Sequence, residues 1–446
     1  MALTGLDIYK KLPRTNCKEC GFPTCLAFAM KVAAGQMELA KCTQLTADAT
    51  QALSEASAPP QRLVKIGPDA KCVQVGQETV LFRHDARFVN PTALALTVNA
   101  SAGAAGVSKA CAALKKLAFP RVGQVLTPDL LAVVHDSGTA EAFVAAVKVA
   151  VAEAGVPLVL MSGDLSALEA AATGPAAGTR PLLYVAADAS VDQLVALAQT
   201  TAAPLCIAGP IDAVADKTAA LAEKGVKDLV ISPGVVGAGQ AINFLTQTRR
   251  AALGKKFRPL GYPVLALAGG DDPMAAALDA CAYVCKYAGI VVADVWEAPL
   301  VLAILTTRQN IYTDPQKPVQ VEAKLYQLGE TTDKSPLLVT TNFSLSYYSV
   351  EGEAESAHVP CYILAVNTDG TSVLTAWAAD KFNPANITKA IKDSGVAEKL
   401  SHKKVIIPGH VAVISSLLAE ECGWEVLVGP KEASGIGPYL KNEWKA

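Results

Sequence analysis

Residues 204–225 have the sequence PLCIAGPIDAVADKTAALAEKG, an apolar run of strand length followed by an Ala-rich stretch. The run Pro204–Ala208 contains no charged side chain, as expected of a parallel strand that is covered on both faces. The stretch after it places apolar residues three and four positions apart, as an amphipathic helix requires. This segment therefore predicts one strand–helix unit of an α/β sheet.

Seven further apolar runs of strand length occur in the middle of the chain, and most of them also precede a stretch of helical period. Together the eight runs are Ala93–Val98, Leu130–His135, Pro157–Met161, Pro181–Val185, Pro204–Ala208, Asp228–Ser232, Pro263–Ala268 and Gly289–Val292. Eight parallel strand–helix units close a TIM (β/α)8 barrel, which is the fold we predict for residues 59–325. An open doubly wound sheet is the alternative.

The predicted barrel has two further features. Thr79–His84 is expected to form a strand that plugs one end of the barrel. Acidic residues such as Asp136, Asp164, Asp272 and Asp294 follow the strands, and helix capping explains most of them. The chain contains no G-x-S-x-G, H-E-x-x-H or Walker sequence, so the barrel shows no self-contained catalytic site.

Four of the eleven cysteines occur within the first 42 residues, with the spacing C-x2-C-x4-C-x16-C. They are Cys17, Cys20, Cys25 and Cys42. Four thiolates are the usual ligands of a [4Fe-4S] cluster, and a loop with Gly21 can turn backbone N–H groups toward its negative charge. We predict a small cluster domain over residues 1–58. A structural zinc site of four thiolates is the alternative.

The remaining cysteines are scattered through apolar segments and predict reduced core residues. Residues 47–60, rich in Ala, Ser and Pro, predict a linker that either lets the cluster domain move or packs on its neighbour.

Residues 326–446 predict a third, small α/β domain. Strands are expected at Leu337–Thr341, Cys361–Val366, Val373–Trp377, Lys404–Ile407 and Glu425–Val428, and helices at Asn386–Lys392, Val411–Glu420 and Ile436–Lys441. Three turns, at residues 367–372, 408–410 and 431–438, are rich in Gly and hydroxyl side chains. Such turns expose backbone N–H groups that suit a large cofactor across the strand ends, although plain turns and caps have the same composition.

The overall charge excludes some partners. The 39 basic and 41 acidic side chains nearly cancel, and no basic run could neutralise a row of phosphates, so nucleic acid is not expected as a partner. No apolar segment reaches the length of a signal peptide core or a membrane span, so we expect a cytoplasmic protein without membrane contact.

The order of these three domains resembles the large subunit of the corrinoid/iron-sulfur proteins of anaerobic acetyl-CoA synthesis. The resemblance covers the whole chain and is most specific at Asn16–Cys25 with Cys42, at Leu81–His84, at Asn367–Val373 and at Pro408–His410. It implies that the C-terminal domain is a Rossmann-like corrinoid-binding domain. It also implies that the chain is a methyl carrier, a methyltransferase component rather than a self-contained enzyme.

In such a protein the cobalt of a cobamide accepts a methyl group from methyl-tetrahydrofolate, through a separate methyltransferase, and delivers it to acetyl-CoA synthase. The [4Fe-4S] cluster reductively reactivates Co(II) to Co(I). By position in the resembling loops, the implied cobamide contacts are Thr340, Ser346, Gly370, Thr371, Ser372, Val373, Ser434, Gly435 and Ile436. Because no D-x-H-x-x-G sequence occurs, a base-off cobamide without a protein axial ligand is expected.

The implied partners are a small subunit that completes a heterodimer, the methyltransferase, and CO dehydrogenase/acetyl-CoA synthase. The alternative function is a pterin-dependent barrel methyltransferase with a fused ferredoxin-like module. That enzyme would bind folate and turn over without cobalt.

Overall fold

A computed structural model describes residues 5–33, 37, 41–46, 59–136, 138–185, 189–314 and 318–446. Residues 47–58, which are all but the last two residues of the predicted linker, lie outside the described residues. Strands are numbered β1 to β17 and helices α1 to α15 along this part of the chain.

Two short helices form the N-terminal unit, α1 (Gly5–Lys11) and α2 (Cys25–Ala33). Their contact buries Ile8, Leu12, Phe28 and Ala29 in a small separate core. This core is too small to supply much of the free energy of folding by burial alone. A unit of this kind therefore depends on further cross-links between its segments.

The centre of the chain forms a nearly closed barrel of eight parallel strands, as predicted. They are β3 (Ala93–Asn99), β6 (Leu130–Val134), β7 (Leu158–Ser162), β8 (Leu182–Val185), β9 (Leu205–Ala208), β10 (Leu229–Ser232), β11 (Leu265–Ala268) and β12 (Ile290–Ala293). Their order is β10-β9-β8-β7-β6-β3-β12-β11. The Ile231 N–H donates to the Pro263 carbonyl at 3.0 Å and joins the two outer strands, so the open-sheet alternative is wrong.

Helices cover the outside of the barrel. They are α3 (Gly103–Lys116), α4 (Ala140–Glu153), α5 (Leu165–Thr173), α6 (Val191–Thr201), α7 (Ile211–Glu223), α8 (Ala238–Arg249), α9 (Pro273–Cys285) and α10 (Ala298–Ile311). A short hairpin, β4 (Phe119–Arg121) and β5 (Gln124–Leu126), precedes β6. The Asp164 and Asp272 side chains cap α5 and α9, which confirms the capping role expected for these two acids.

A hairpin closes the amino-terminal end of the barrel. It consists of β1 (Leu63–Ile66) and β2 (Val73–Gly76), which pair antiparallel. Val64, Ile66 and Val75 are fully buried against the inward-facing strand residues, so this hairpin forms the plug. The prediction of a plugging strand at Thr79–His84 was wrong, because these residues form turns outside the barrel.

The turns after this hairpin are held by a buried ion pair. Arg249 donates to the carbonyl oxygens of Leu81 at 3.1 Å and Val80 at 2.7 Å, and its guanidinium lies 4.4 Å from the Tyr287 ring centre. One Nη atom is 3.7 Å from the carboxylate of Glu78, and both side chains are at most 10% exposed. Burial raises the pKa of Glu78, and the charge of Arg249 opposes that shift.

The C-terminal part forms a five-stranded sheet in the order β13-β15-β14-β16-β17. Its strands are β13 (Leu325–Leu328), β14 (Leu337–Thr341), β15 (Cys361–Val366), β16 (Lys404–Ile407) and β17 (Glu425–Val428). All neighbours are parallel except β13, which pairs antiparallel with β15. Helices on the two faces are α11 (Ser344–Ala357), α12 (Val373–Ala378), α13 (Pro384–Asp393), α14 (Ser415–Cys422) and α15 (Ile436–Asn442).

The structure of this domain differs from the prediction at one predicted strand and at two elements that were not predicted. Val373–Trp377 is the helix α12 and not a strand, because Ala376 is buried and its N–H donates to the Ser372 carbonyl at 2.7 Å. The strand β13 and the helix α11 were not expected. The polar sequence of α11 has only a weak apolar face, which hides its helical period.

Replacement of Arg249 by Ala should lower the free energy of unfolding by roughly 3–5 kcal/mol, because the Glu78 carboxylate would stay buried without its partner. The matched control is Arg250→Ala, since Arg250 is the next residue and is exposed. That change should stay within about 0.5 kcal/mol of the parent. Urea unfolding followed by circular dichroism measures both, and equal midpoints for the two variants would contradict the assigned role of Arg249.

Candidate functional sites

The N-terminal cysteine loop is folded around Asn16. The Cys25 N–H donates to the Asn16 Oδ1 at 2.8 Å, and the Asn16 N–H donates to the Cys25 Sγ at 3.4 Å. Asn16 adopts a left-handed backbone with φ of 50°, which Asn tolerates better than most residues. These two bonds hold the start and the end of the C-x2-C-x4-C loop together.

The segment that carries the fourth cysteine is fastened to the same loop. The Glu19 carboxylate accepts hydrogen bonds from the Thr43 hydroxyl and, at 3.1 Å, from the Gln44 amide. Cys25 is buried in the small core, Cys20 and Cys42 pack against this core, and Cys17 is exposed. The structure thus brings the four predicted ligands into one part of the molecule, with Cys17 on its surface.

The thiols influence one another electrostatically. Burial raises the pKa of Cys42, a hydrogen bond from the Gln44 backbone opposes this, and the charges of Cys20, Cys25 and Cys17 add to the rise. Within the described ranges, no three Cys, His, Asp or Glu side chains are grouped as ligands of one metal ion. The donor set, the N–H bond to the Cys25 sulfur and the apolar packing nevertheless fit a group held by four thiolates.

A cavity of about 350 Å³ lies at the carboxyl ends of the C-terminal strands. If the four parallel strands β14, β15, β16 and β17 are numbered 1 to 4 in chain order, they lie in the sheet in the order 2-1-3-4. The direction in which successive strands are added therefore reverses between β14 and β16. Open α/β sheets bind ligands at this switch point, outside the carboxyl ends of the strands. The cavity is formed by the ends of β14 and β16, by α11, and by the turns after β16 and β17.

Five of the nine predicted cofactor contacts line this cavity: Thr340, Ser346, Ser372, Val373 and Ile436. Thr340 is only 1% exposed, and neither its hydroxyl nor that of Ser346 has a hydrogen-bond partner among the described residues. Both hydroxyls are therefore available to a bound molecule: Thr340 is buried, where an unpaired hydroxyl is costly, and Ser346 is half-buried.

Gly370 and Thr371 are not part of the cavity lining and lie in the turn that leads to Ser372. The Asn342 Oδ1 organises this turn by accepting from the N–H of Thr368 at 2.9 Å, from its hydroxyl at 3.1 Å and from the Gly370 N–H at 3.1 Å. Asn342 is 3% exposed. This residue could not be found from the sequence, because it belongs to no turn motif and its bonds span 26 and 28 positions of the chain.

Ser434 and Gly435 lie just before α15, and Ser434 is exposed and outside the cavity lining. The turn that contains them is packed against the turn after β16. The Gly409 N–H donates to the Pro430 carbonyl at 3.0 Å, and a Cβ at Gly409 would lie 2.6 Å from the Gly429 carbonyl oxygen. Glycine at 409 is therefore required by close approach of the two turns.

Several lining residues were not predicted. They include Leu345, Val350, Leu374 and Pro430, whereas Pro408 and His410 belong to the predicted turn at residues 408–410. The Nε2 of His410 lies 3.7 Å from a Glu432 carboxylate oxygen, and both residues line the cavity. Leu345 and Val350 resemble ordinary core residues in the sequence, and only the position of α11 reveals them.

Comparison with known proteins now adds to this geometry. Residues 63–440 match the family described as CO dehydrogenase/acetyl-CoA synthase delta subunit, and residues 12–44 match the family described as putative Fe-S cluster. The chain is 44% identical over 442 residues to the corrinoid/iron-sulfur protein large subunit of Moorella thermoacetica, covering 99% of each. The chain belongs to the corrinoid/iron-sulfur protein large-subunit family.

Archaeal members of the corrinoid/iron-sulfur protein large-subunit family are also similar to this chain. The acetyl-CoA decarbonylase/synthase complex subunit gamma of Methanothermobacter thermautotrophicus is 33% identical over 457 residues and covers 99% of each chain. Among solved structures, the 7,8-dihydropteroate synthase of Vibrio fischeri aligns with 56% of this chain and 100% of its own, at 12% identity and a TM-score of 0.40. None of the described helices is both long and apolar enough to cross a membrane.

Replacement of Asn342 by Ala should expose the 367–371 turn to solvent exchange, because the buried N–H groups of Thr368 and Gly370 would lose their acceptor. Each unpaired group costs roughly 1–3 kcal/mol. Amide hydrogen exchange of the turn, followed by mass spectrometry, measures the effect. Asn243→Ala on the exposed surface of α8 is the control, and unchanged protection in the Asn342 variant would show that the turn is held by other contacts.

Proposed function

We propose that this chain is a methyl carrier, which binds a cobamide in the C-terminal domain and a [4Fe-4S] cluster in the N-terminal unit. The observation that carries the proposal is the full-length match to a corrinoid/iron-sulfur protein large subunit, which includes both candidate sites. Two further observations support it independently. One is the apolar cavity at the switch point, with the unpaired hydroxyls of Thr340 and Ser346, and the other is the four-cysteine loop.

In this proposal Cys17, Cys20, Cys25 and Cys42 ligate the cluster. Cys25 would be the most rigid ligand, because it is buried and because both its backbone N–H and its Sγ form hydrogen bonds with Asn16. Cys17 would mark the exposed edge. Backbone N–H bonds to sulfur and exclusion of water are two of the factors that set a cluster's reduction potential.

The C-terminal domain would be the Rossmann-like corrinoid-binding domain. Thr340, Ser346, Ser372, Val373 and Ile436 would touch the cobamide, whereas Gly370, Thr371, Ser434 and Gly435 would shape the turns that carry them. We infer a base-off cobamide without a protein axial ligand. The absence of D-x-H-x-x-G supports this.

When bound, the cobamide supplies a cobalt that accepts and releases a methyl group, and the cluster supplies single electrons that keep the cobalt reduced. The protein binds and orients these groups and excludes water from them. The proposed partners are a small subunit in a heterodimer, the CO dehydrogenase/acetyl-CoA synthase, and a methyltransferase that uses methyl-tetrahydrofolate. A cytoplasmic location is part of the same proposal.

Anaerobic purification followed by analysis of cobalt, iron, sulfide and zinc tests the whole proposal. About one cobalt and four irons per chain are expected. Zinc without cobalt, or methyl transfer from folate without any cobalt, would contradict the carrier. The second result would instead support the pterin-dependent barrel methyltransferase.

Replacement of Cys25 by Ser should abolish most of the iron and sulfide and leave the cobalt content unchanged. The reason is that one of four thiolates is lost from the buried position of the loop, whereas the cavity is lined only by residues of the C-terminal domain. Iron and sulfide analysis with the visible spectrum measures the loss. Cys72→Ser is the control, because Cys72 lies outside the N-terminal unit, and an equal loss in both variants would refute the ligand assignment.

Replacement of Thr340 by Val should lower the cobalt content and increase cobamide release by about tenfold, since it removes a hydroxyl that faces the cavity. Thr341→Val is the matched control. Thr341 is the next residue on β14, is equally buried, and has an unpaired hydroxyl on the opposite face of the sheet. Cobalt retained equally by both variants would rule out a cofactor contact at Thr340.

A further inference from the structure

The segment that joins the barrel to the C-terminal domain pairs with the residues at the start of α11, a helix that lines the candidate cofactor cavity. Residues 319–321 run antiparallel to residues 342–344, next to the end of β14. The Val321 N–H donates to the Asn342 carbonyl at 2.9 Å, and the Ser344 N–H donates to the Val319 carbonyl at 3.0 Å. Ser344 is the first residue of α11, so the connecting segment fixes the start of a helix that forms one cavity wall.

The Gln320 side chain extends from this segment toward the turn that precedes the cavity. Its Oε1 accepts a hydrogen bond from the Asn342 Nδ2 at 3.1 Å. The other end of that amide, the Asn342 Oδ1, accepts the three bonds from Thr368 and Gly370. The Asn367 Oδ1 also accepts from the Asn342 Nδ2, at 3.4 Å, so Gln320 supplies the shorter of the two bonds that support this orientation of the amide. The opposite orientation would present N–H groups to N–H groups.

Packing adds a second contact between the same partners. Gly370 has φ of +69°, and a Cβ at this position would lie 2.4 Å from the Gln320 Cγ. The aliphatic part of Gln320 therefore occupies the space that the missing side chain of Gly370 leaves. The cavity-lining residues Ser372 and Val373 follow Gly370 by two and three positions, so the turn connects Gln320 to the cavity wall.

We propose that Gln320 is a positioning residue for the bound cobamide, acting through Asn342 and the 367–371 turn. The proposal rests on the proposed function, since it assumes that the cavity holds the cobamide. In this proposal the segment that joins the barrel to the C-terminal domain belongs to the cofactor site. A shift of residues 319–321 changes the orientation of Asn342 and the width of the cavity between Ser372 and α11.

Three substitutions separate hydrogen bonding from packing. Gln320→Ala removes the acceptor oxygen and the aliphatic part. Gln320→Met keeps a side chain of similar length without an oxygen acceptor of that strength, and Gln320→Glu keeps both the acceptor and the length. Gln327→Ala is the control, because Gln327 is an exposed glutamine of β13 whose side chain bonds only to Gly329 among the described residues.

The variants are purified anaerobically as the complete protein with its bound corrinoid. Release of the corrinoid is followed by filtration and visible absorbance, and hydrogen exchange of residues 367–373 is measured on the same samples. Gln320→Ala and Gln320→Met should release the corrinoid about five to ten times faster and exchange the turn amides faster, as expected for one lost hydrogen bond. Gln320→Glu and Gln327→Ala should match the parent in both measurements.

Equal release rates and equal exchange in the parent and Gln320→Met would overturn the positioning role. Recovery by Gln320→Met but not by Gln320→Glu would also overturn it, because packing alone would then explain the effect. A parent protein without corrinoid would refute the proposed function instead. In that case faster exchange of the turn in Gln320→Met would still establish the contact between Gln320, Asn342 and the turn.

Discussion

A parallel strand can leave water only when both of its faces are covered, and this constraint organises most of the chain. In the barrel, helices cover the outer face, and the inward side chains with the β1–β2 hairpin fill the interior. In the C-terminal sheet, helices cover both faces. The carboxyl ends of the strands are the places where backbone and hydroxyl groups remain open to a ligand, and the candidate cofactor cavity lies at such an end.

The N-terminal unit, in contrast to the two sheets, has little apolar surface to bury. Its two short helices bury few apolar residues, so a packed core cannot hold the unit together alone. The Asn16 Oδ1 accepts from the Cys25 N–H and closes the cysteine loop, and the Glu19 carboxylate accepts from Gln44 and ties the loop to the segment of the fourth cysteine. Ligation of an inorganic group by four thiolates from these segments would supply the missing cross-links. Redox chemistry and stability would then depend on the same four side chains.

The sequence predicted those parts of the fold whose signals are local. Each of the eight barrel strands was found within two residues of its observed ends, because each is an uncharged apolar run bounded by Pro, Gly or polar residues. Val373–Trp377 was misjudged, because β-branched and aromatic residues in a short run suit a strand, while burial of Ala376 determines a helix. The antiparallel strand β13 carries two polar residues and acquires its partner only from β15.

The same distinction applies to the candidate sites. The cysteine spacing and the hydroxyl groups of Thr340 and Ser346 were visible in the sequence through motif and resemblance. Asn342 and Gln320 were not, since their bonds join positions 22 to 28 residues apart that only the folded sheet brings together. The apolar cavity lining was hidden for another reason, because Leu345 and Val350 have the composition of ordinary helix residues.

The plug hairpin has a consequence for how the chain is connected. The residues before it are anchored at the plugged end, where the Arg62 N–H donates to the Gly261 carbonyl at 2.8 Å and the Arg258 guanidinium to the Pro59 carbonyl at 2.7 Å. The helix α10 follows β12 back to this end, so the connection to the C-terminal domain also departs here. The chain therefore enters and leaves the barrel at the same end, the amino-terminal end that the hairpin closes. The described loops at the opposite end of the barrel take no part in either attachment.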